Sequence, residues 1–216
     1  MLKNGDFIKL AYDGYDDKGN IFDSTHGEVG KTLHGKDGPL LIVIGKHRLI
    51  QGLDETIRTM KKGEEKEASF GHEKAFGPRS KNLIRVMSSS DFRHHNVVPE
   101  PGITIHLDGD NGRVYGIVKS VSGGRVMVDF NHPMASKKVR YKVKLVDAIE
   151  GIEGRVQALM DELSLTGKIT VTTNNGEVSI TLDKKGEQFE LRKSMFLAMA
   201  KEFIPDIKKI EVKESA

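Results

Sequence analysis

Cysteine and histidine often carry metal or nucleophilic chemistry, and this chain offers little of either. It has no cysteine, which excludes disulfides and thiolate metal sites and fits a reducing compartment, so we expect a cytoplasmic protein. Its eight histidines are scattered, and only His94 and His95 are adjacent. Adjacent residues seldom ligate one metal unless further ligands converge. We therefore expect this pair to lie exposed in a loop, and we predict no metal site and no cofactor.

A carboxylate beside an aromatic side chain is the other feature that could do chemistry. Asp23 directly follows Ile21 and Phe22, and burying a carboxylate among apolar residues is costly unless it has a partner. From the residues alone, Asp23 either caps a turn toward Ser24 and Thr25 or belongs to a functional site. Both interpretations stay open at this point.

Composition indicates a soluble globular protein. Of 216 residues, 37% are hydrophobic and 30% are charged, enough for one large domain or two to three small ones. The 34 basic and 31 acidic residues give a net charge of +3, so we expect no nucleic-acid partner. Residues 1–6 contain no apolar signal, and no apolar run reaches the length of a membrane span, so we expect neither secretion nor membrane insertion.

Apolar patterns predict the elements that must position these residues. Strands are expected at 7–12, 21–23, 39–45 and 65–70. Leu53, Ile57 and Met60 lie at i, i+4 and i+7, which predicts one face of a short helix that Gly63 ends. The glycine-rich segment 24–38 has little apolar content and predicts a long surface loop.

The middle of the chain predicts a small module of strands inserted into the first domain. Strands are expected at 103–107, 114–118 and 126–130, joined by hairpins at 108–112 and 122–124. The turn Asn131-His132-Pro133 then separates two apolar strands, and we expect His132 to stabilise it. The strand at 138–146 returns to the first sheet. The predicted domains are therefore 1–82 with 131–152, and 83–130.

Residues 153–216 predict a third module of order α-β-β-α-β. The apolar stripes of its two helices are Val156, Leu159, Met160, Leu163 and Leu191, Met195, Met199, Phe203. Asn174-Asn175-Gly176 predicts a hairpin between its first two strands. Met195, Phe196 and Met199 are either helix core or a surface for a second copy or a client, because methionine adapts to varied partners.

Several spaced motifs resemble those of the FKBP-type peptidyl-prolyl isomerases. They are Tyr12-Asp13-Gly14, Gly19-Asn20-Ile21-Phe22-Asp23-Ser24, Ile44-Gly45, Leu49-Ile50-Gln51-Gly52-Leu53-Asp54, Ala75-Phe76-Gly77 and Tyr141. Residues 130–137 resemble the SlyD-like branch, which carries a chaperone domain inserted in the flap, and the third module resembles the C-terminal domain of long archaeal members. The resemblance covers residues 1–152 well, and its ordered motifs make it more specific than one short match.

The resemblance implies an α+β fold with an antiparallel β-sheet wrapped on a short helix. It also implies a small all-β domain inserted at 83–130 and a C-terminal α/β module. The implied activity is peptidyl-prolyl cis-trans isomerisation without a cofactor, acting on unfolded or proline-containing polypeptides. Because the C-terminal domain of related long archaeal proteins is associated with dimerisation, a homodimer through this module is a further expectation.

An apolar cup for proline is implied by the same resemblance. Its members would be Tyr12, Phe22, Ile42, Leu49, Ile50, Leu53, Phe76 and Tyr141. Asp23 would orient the substrate, and the backbone N–H of Ile50 would hold a substrate carbonyl. Without the family pattern, Phe22, Ile42 and Tyr141 on predicted strands would be ordinary core residues.

The inserted segment would bind unfolded chains through apolar side chains. The candidates are Leu83, Ile84, Val86, Met87, Phe92, Val97, Val98, Ile103, Ile105 and Tyr115. So small a module needs several of them for its own core, and the sequence does not separate the two sets. Two functions follow: an isomerase with chaperone activity, or a holdase that only binds chains. The presence of Tyr12, Asp23 and Tyr141 favours the isomerase.

Overall fold

The computed structural model describes residues 1–46, 49–94, 97–109, 112–172, 177–184, 186 and 188–215. Its strands are β1 (Phe7–Tyr15), β2 (Ile21–Ser24), β3 (Leu40–Val43), β4 (Glu65–Phe70), β5 (Ile84–Ser88), β6 (Thr104–Gly109), β7 (Gly112–Ser122), β8 (Arg125–Asp129), β9 (Val139–Ile149), β10 (Gly167–Thr172), β11 (Glu177–Asp183) and β12 (Lys209–Ser215). Its helices are α1 (Gly27–His34), α2 (Gln51–Arg58), α3 (Ser89–His94), α4 (Gly151–Glu162) and α5 (Phe189–Phe203). Helices and mainly antiparallel sheets together make an α+β fold, as predicted.

The chain forms two compact units. The first comprises Met1–Ser69 with Arg140–Ala216, and the second, Phe70–Val139, interrupts it in sequence. These are the limits of compact units and not of domains. The predicted domains at 83–130 and 153–216 therefore stay predictions. No helix in the described part of the chain is long and apolar enough to cross a membrane.

Strand β1 is central to the sheet of the first unit. The sheet order is β2-β1-β9-β4, and β3 also pairs with β1. One edge of β1 is shared, because residues 7–10 pair with β3 and residues 13–15 pair with β2, while the other edge pairs with β9. Ile8 and Leu10 are fully buried, so apolar residues cover β1 along its length.

The predicted short helix is confirmed as α2. Leu53 and Ile57 are buried on it, and Met60 is buried just beyond its end. Gly63 then has a positive φ of 80°, which a side chain would strain, and its N–H donates to the Leu145 carbonyl.

The prediction of a long loop at residues 24–38 is wrong, because this segment contains α1. Gly30 lies so close to the preceding turn that a Cβ there would be 2.7 Å from the carbonyl carbon of Thr25. Gly35 ends the helix in the left-handed conformation, with φ 74°. The glycines that suggested a loop therefore allow a helix to pack closely and to stop.

The C-terminal elements follow the order α4-β10-β11-α5-β12 that the apolar pattern predicts. β10 and β11 are antiparallel, whereas β11 and β12 are parallel and α5 provides the crossover. The predicted turn at 174–176 lies outside the described residues. Phe196 is fully buried and Met199 packs against the core, whereas Met195 is exposed. The predicted dimer contact stays a prediction.

The apolar core of these elements is continuous with the first sheet. Phe7 on β1 and Leu41 and Val43 on β3 belong to the same buried cluster as Leu159 and Phe196. The C-terminal elements therefore pack on the first sheet and complete its core.

The second unit has a four-stranded antiparallel sheet of order β5-β8-β7-β6. The predicted hairpin at 122–124 is confirmed, and Gly123 and Gly124 have φ values of 55° and 75°. The prediction of an all-β module is wrong in one respect, because α3 follows β5. Phe92 is the one buried apolar residue of this short helix, so the sequence has no apolar period that could predict the helix.

A hydrogen-bonded clasp, formed by Arg79, Ser80, Asp129 and Asn131, joins the segments that flank the four-stranded sheet. Arg79 pairs with the buried Asp129 carboxylate. Asn131 accepts from the Ser80 N–H at 2.7 Å and donates to the Ser80 carbonyl at 3.0 Å. In the adjoining turn the Met134 N–H donates to His132 Nδ1 at 3.1 Å, which confirms that His132 stabilises this turn.

Candidate active site

Three aromatic rings from separate strands meet edge to face in the first unit. The ring of Tyr141 on β9 lies 5.8 Å from that of Tyr12 on β1 and 5.8 Å from that of Phe22 on β2, with interplanar angles of 61° and 87°. Edge-to-face pairs of this kind stabilise by about 0.5–1.5 kcal/mol beyond the area they bury. We call Tyr12, Phe22 and Tyr141 the aromatic cluster.

Gly14 provides the space in which these rings meet. It pairs with Tyr141 across β1 and β9. A Cβ at this position would lie 2.9 Å from Cε1 of Tyr141 and 3.2 Å from Cζ of Phe22. The absence of a side chain at Gly14 therefore lets both rings approach the backbone of β1.

A short polar chain connects the aromatic cluster to the end of α1. His34 Nε2 lies 2.9 Å from Asp23 Oδ1 and 3.3 Å from Tyr12 Oη. The ring of His34 also meets the Tyr12 ring edge to face, at 6.0 Å. The side chains of Asp23 and His34 are only 23% and 21% exposed. Asp23 therefore has a specific partner, and the site is reachable from solvent on its polar side.

His34 is a candidate site residue that the sequence does not predict. The glycine-rich pattern predicts a loop at residue 34, whereas α1 folds back so that its last residue meets Asp23. Asp23 lies on a strand and His34 at the end of the following helix, so no period of a single element connects them.

Both tyrosine hydroxyls of the aromatic cluster stay protonated well beyond neutral pH. Burial raises the pKa of Tyr12 far above its usual range, and the nearby charge of Asp23 raises it further. Burial likewise raises the pKa of Tyr141, with Asp23 again adding to the effect. The cluster therefore presents neutral phenols beside one carboxylate.

The other predicted members of the cup lie on neighbouring elements or in the second unit. Ile42 on β3 and Leu53 on α2 are buried, and Leu49 and Ile50 are half-buried in the segment that leads into α2. Phe76 lies in the second unit, where its ring stacks on His132 at 4.1 Å. The structure thus brings Tyr12, Phe22, Asp23 and Tyr141 together directly, and the predicted catalytic roles of all nine residues stay predictions.

The candidate client contacts separate into a buried and an exposed set. Phe92 and Ile105 are core residues of the second unit, so they belong to the structural part of the candidate set. Met87, Val97 and Ile103 pack against the same core, and Ile84 is half-buried. The exposed candidates are Leu83, Val86, Val98 and Tyr115.

An exposed groove follows one face of the four-stranded sheet. Val86 on β5 pairs directly with Met127 on β8, and both side chains are exposed. They line a groove of about 480 Å³ together with Ser120, Ser122, Gly123 and Arg125. Met127 was not among the residues predicted from sequence.

No group of three His, Asp or Glu side chains is placed to hold a metal ion in the described parts of the chain. His95 lies outside the described residues, so the exposure of the pair His94-His95 stays a prediction.

Two protein-family models match this chain. The model for FKBP-type peptidyl-prolyl cis-trans isomerase matches residues 1–92, and the model described as FKBP26, IF domain, matches residues 85–134. Together they span the strands that carry Tyr12 and Phe22 and most of the second unit.

Curated relatives agree with these matches. A short-type peptidyl-prolyl cis-trans isomerase of Methanocaldococcus jannaschii is 28% identical over 152 residues, which is 68% of this chain and 94% of that protein. An FKBP-type 16 kDa isomerase of Escherichia coli K12 is 24% identical over 59% of this chain and 85% of that protein. The SlyD isomerase of Aeromonas hydrophila is 32% identical over 56% of each chain. These matches, together with the aromatic cluster on β1, β2 and β9, support an FKBP-type peptidyl-prolyl cis-trans isomerase.

Proposed function

We propose that the aromatic cluster and Asp23 catalyse cis-trans isomerisation of X-Pro bonds in unfolded polypeptides, and that the second unit holds those polypeptides. The observation that carries the proposal is the meeting of Tyr12, Phe22 and Tyr141 beside a carboxylate that remains partly open to solvent. A proline ring is apolar and compact, which suits a site with aromatic walls and one polar side.

The reaction requires a twist about one amide bond. The barrier is about 18–20 kcal/mol, and without a catalyst the change takes tens to hundreds of seconds. At the top of the barrier the amide loses its resonance, and charge leaves its carbonyl oxygen. Surroundings with little water therefore favour the twisted amide over the planar one, which is the more polar of the two.

The residues of the cluster fit this requirement. Tyr12 and Tyr141 are almost fully buried, so water has little access to the side of the site that they form. Since burial keeps the pKa of both phenols high, they add no charge that would draw water in. Asp23 supplies a charge on the partly exposed side of the cluster, where it would orient the substrate. The contacts predicted for Ile42, Leu49, Ile50, Leu53 and Phe76 belong to this proposal.

The groove on the second unit would hold an unfolded chain, as in the SlyD-like branch that the resemblance indicates. Val86 and Met127 offer exposed apolar surface beside the polar Ser120 and Arg125. A chain held weakly there would have its prolines at a raised local concentration around the site. This effect would act on long unfolded chains and not on short peptides.

The decisive experiment compares two substrates. We expect the wild-type chain, at a substoichiometric amount, to accelerate both the isomerisation of a proline tetrapeptide and the proline-limited refolding of a protein. Val86→Ser with Met127→Ser should slow the refolding reaction several-fold and leave the tetrapeptide reaction unchanged. Leu191→Ser, which alters an equally exposed apolar residue on α5, is the matched control and should change neither.

The alternative function, a holdase that only binds, predicts a different result. Aggregation would be suppressed, but neither reaction would be accelerated by a substoichiometric amount of protein. Equal losses on both substrates in the groove variant would instead refute the holding role of the second unit.

A further inference from the structure

We propose that His34 is a positioning residue that fixes the Asp23 carboxylate beside the aromatic cluster, an inference that rests on the isomerase function proposed above. His34 Nε2 lies within hydrogen-bond distance of Asp23 Oδ1, at 2.9 Å. A hydrogen bond to an ionised acceptor is shorter and stronger than a neutral one, so it limits the orientations that the carboxylate can adopt.

The reason for such a constraint lies in the exposure of Asp23. Its side chain is 23% exposed and sits at the open side of the site, where water competes for the carboxylate. A carboxylate that turned toward bulk water would leave the region where substrate binds. The imidazole opposes this turn together with the Tyr12 hydroxyl, which also hydrogen-bonds Asp23 and lies 3.3 Å from His34 Nε2.

The position of His34 is itself tied to β1 through Thr25. The Tyr12 N–H donates to Thr25 Oγ1 at 3.0 Å, and the Thr25 N–H donates to the Tyr12 carbonyl at 2.9 Å. Gly30 on α1 packs directly on the carbonyl of Thr25. These contacts fix the position of helix α1 relative to Tyr12. As a consequence, His34 at the end of α1 reaches Asp23.

Four variants of the full chain separate positioning from simple packing. His34→Phe keeps a planar ring against Tyr12 but removes the donor, and it should lower kcat/KM for a proline tetrapeptide about tenfold. His34→Gln offers an amide N–H at the place of Nε2 and should stay within about threefold of wild type. Asp23→Ala removes the group that is positioned. The double variant His34→Phe with Asp23→Ala should be no slower than Asp23→Ala alone, because His34 acts through Asp23.

Three kinetic results would overturn the proposal. They are wild-type activity in His34→Phe, equal losses in His34→Phe and His34→Gln, and a double variant in which the two losses multiply.

A spectroscopic readout is independent of activity. In nitrogen-15 NMR spectra, with His34→Gln identifying the signal, the wild type should show a proton on His34 Nε2 that exchanges slowly with water. Asp23→Ala should make that exchange fast. An Nε2 without a proton in the wild type would overturn the inference. A wild type that lacks isomerase activity but shows the protected proton would contradict the proposed function and leave the His34–Asp23 contact established.

Discussion

Replacing Gly14 by alanine tests whether the aromatic cluster is the catalytic surface. The new methyl group would lie 2.9 Å from Cε1 of Tyr141, 3.1 Å from its Cζ and 3.2 Å from Cζ of Phe22. Gly14 does not have a positive φ, so the backbone accepts alanine and the effect comes from the contacts alone.

The magnitude follows from these distances. Carbon atoms pack best at about 3.5–4.0 Å, so the Tyr141 ring would have to retreat by about 0.6 Å. Tyr141 is only 3% exposed, which leaves little room for the retreat. Overpacking of this kind costs about 1–3 kcal/mol of the free energy of unfolding. Because a misplacement of about 1 Å at a catalytic site can cost a hundredfold in rate, we expect kcat/KM for a proline tetrapeptide to fall at least tenfold.

The assay pairs tetrapeptide isomerisation with urea unfolding, and Gly154→Ala serves as the control. Gly154 lies inside α4, and its Cβ would meet the Cγ2 methyl of Ile149 at 3.2 Å, which has to shift by a few tenths of an ångström. Alanine there should change the free energy of unfolding by no more than about 1 kcal/mol and leave activity unchanged. If Gly14→Ala retained wild-type kcat/KM while the chain stayed folded, the role given to the cluster would be refuted.

Three further predictions concern stability. Phe196→Ala should lower the free energy of unfolding by about 3–5 kcal/mol, because Phe196 is fully buried in the core shared with the first sheet; a urea titration showing almost no change would contradict that packing. Burial raises the pKa of Tyr12 and Tyr141 in the folded state above the unfolded value of about 10. Their contribution to the free energy of unfolding is therefore complete below that value. As the pH rises above it, the contribution falls by about 1.4 kcal/mol per pH unit for each residue. Urea titrations along an alkaline pH series should show this slope, and it should disappear when both residues are replaced by phenylalanine. Asn131→Ala should cost about 1–3 kcal/mol, because the N–H and carbonyl of Ser80 lose their partners; unchanged hydrogen exchange at residues 79–80 would count against the clasp.

Elements whose cause is local were predictable from the sequence. Leu53 and Ile57 show the helical period of α2, and both are buried on it. The hairpin between β7 and β8 needs two residues with positive φ, which Gly123 and Gly124 supply. In contrast, α1 depends on the close packing of Gly30 on Thr25, a tertiary contact that no local pattern records.

The candidate site was predictable only as far as the family motifs reach. These motifs point to Tyr12, Phe22, Asp23 and Tyr141, which the structure brings together. His34 could not be found, because its meeting with Asp23 depends on how α1 folds back.

The client-contact residues could not be sorted from the sequence for a different reason. Val86 and Met87 are adjacent apolar residues on β5, yet Val86 is exposed and Met87 packs against the core. Because apolar residues occupy both faces of this strand, alternation in the sequence does not identify the buried face.

The shared core links the C-terminal elements to the site. Side chains alternate along a strand, so Leu41 and Val43 on β3 face the buried cluster that contains Phe196, whereas Ile42, which is also buried, faces the opposite side. β3 pairs with β1 at residues 7–10, two residues before Tyr12. If α5 detached from the core, Leu41 and Val43 on β3 would be exposed. The pairing of β3 with β1 would then be weaker. We therefore expect the C-terminal elements to support the site through the stability of β3, without contact with the substrate.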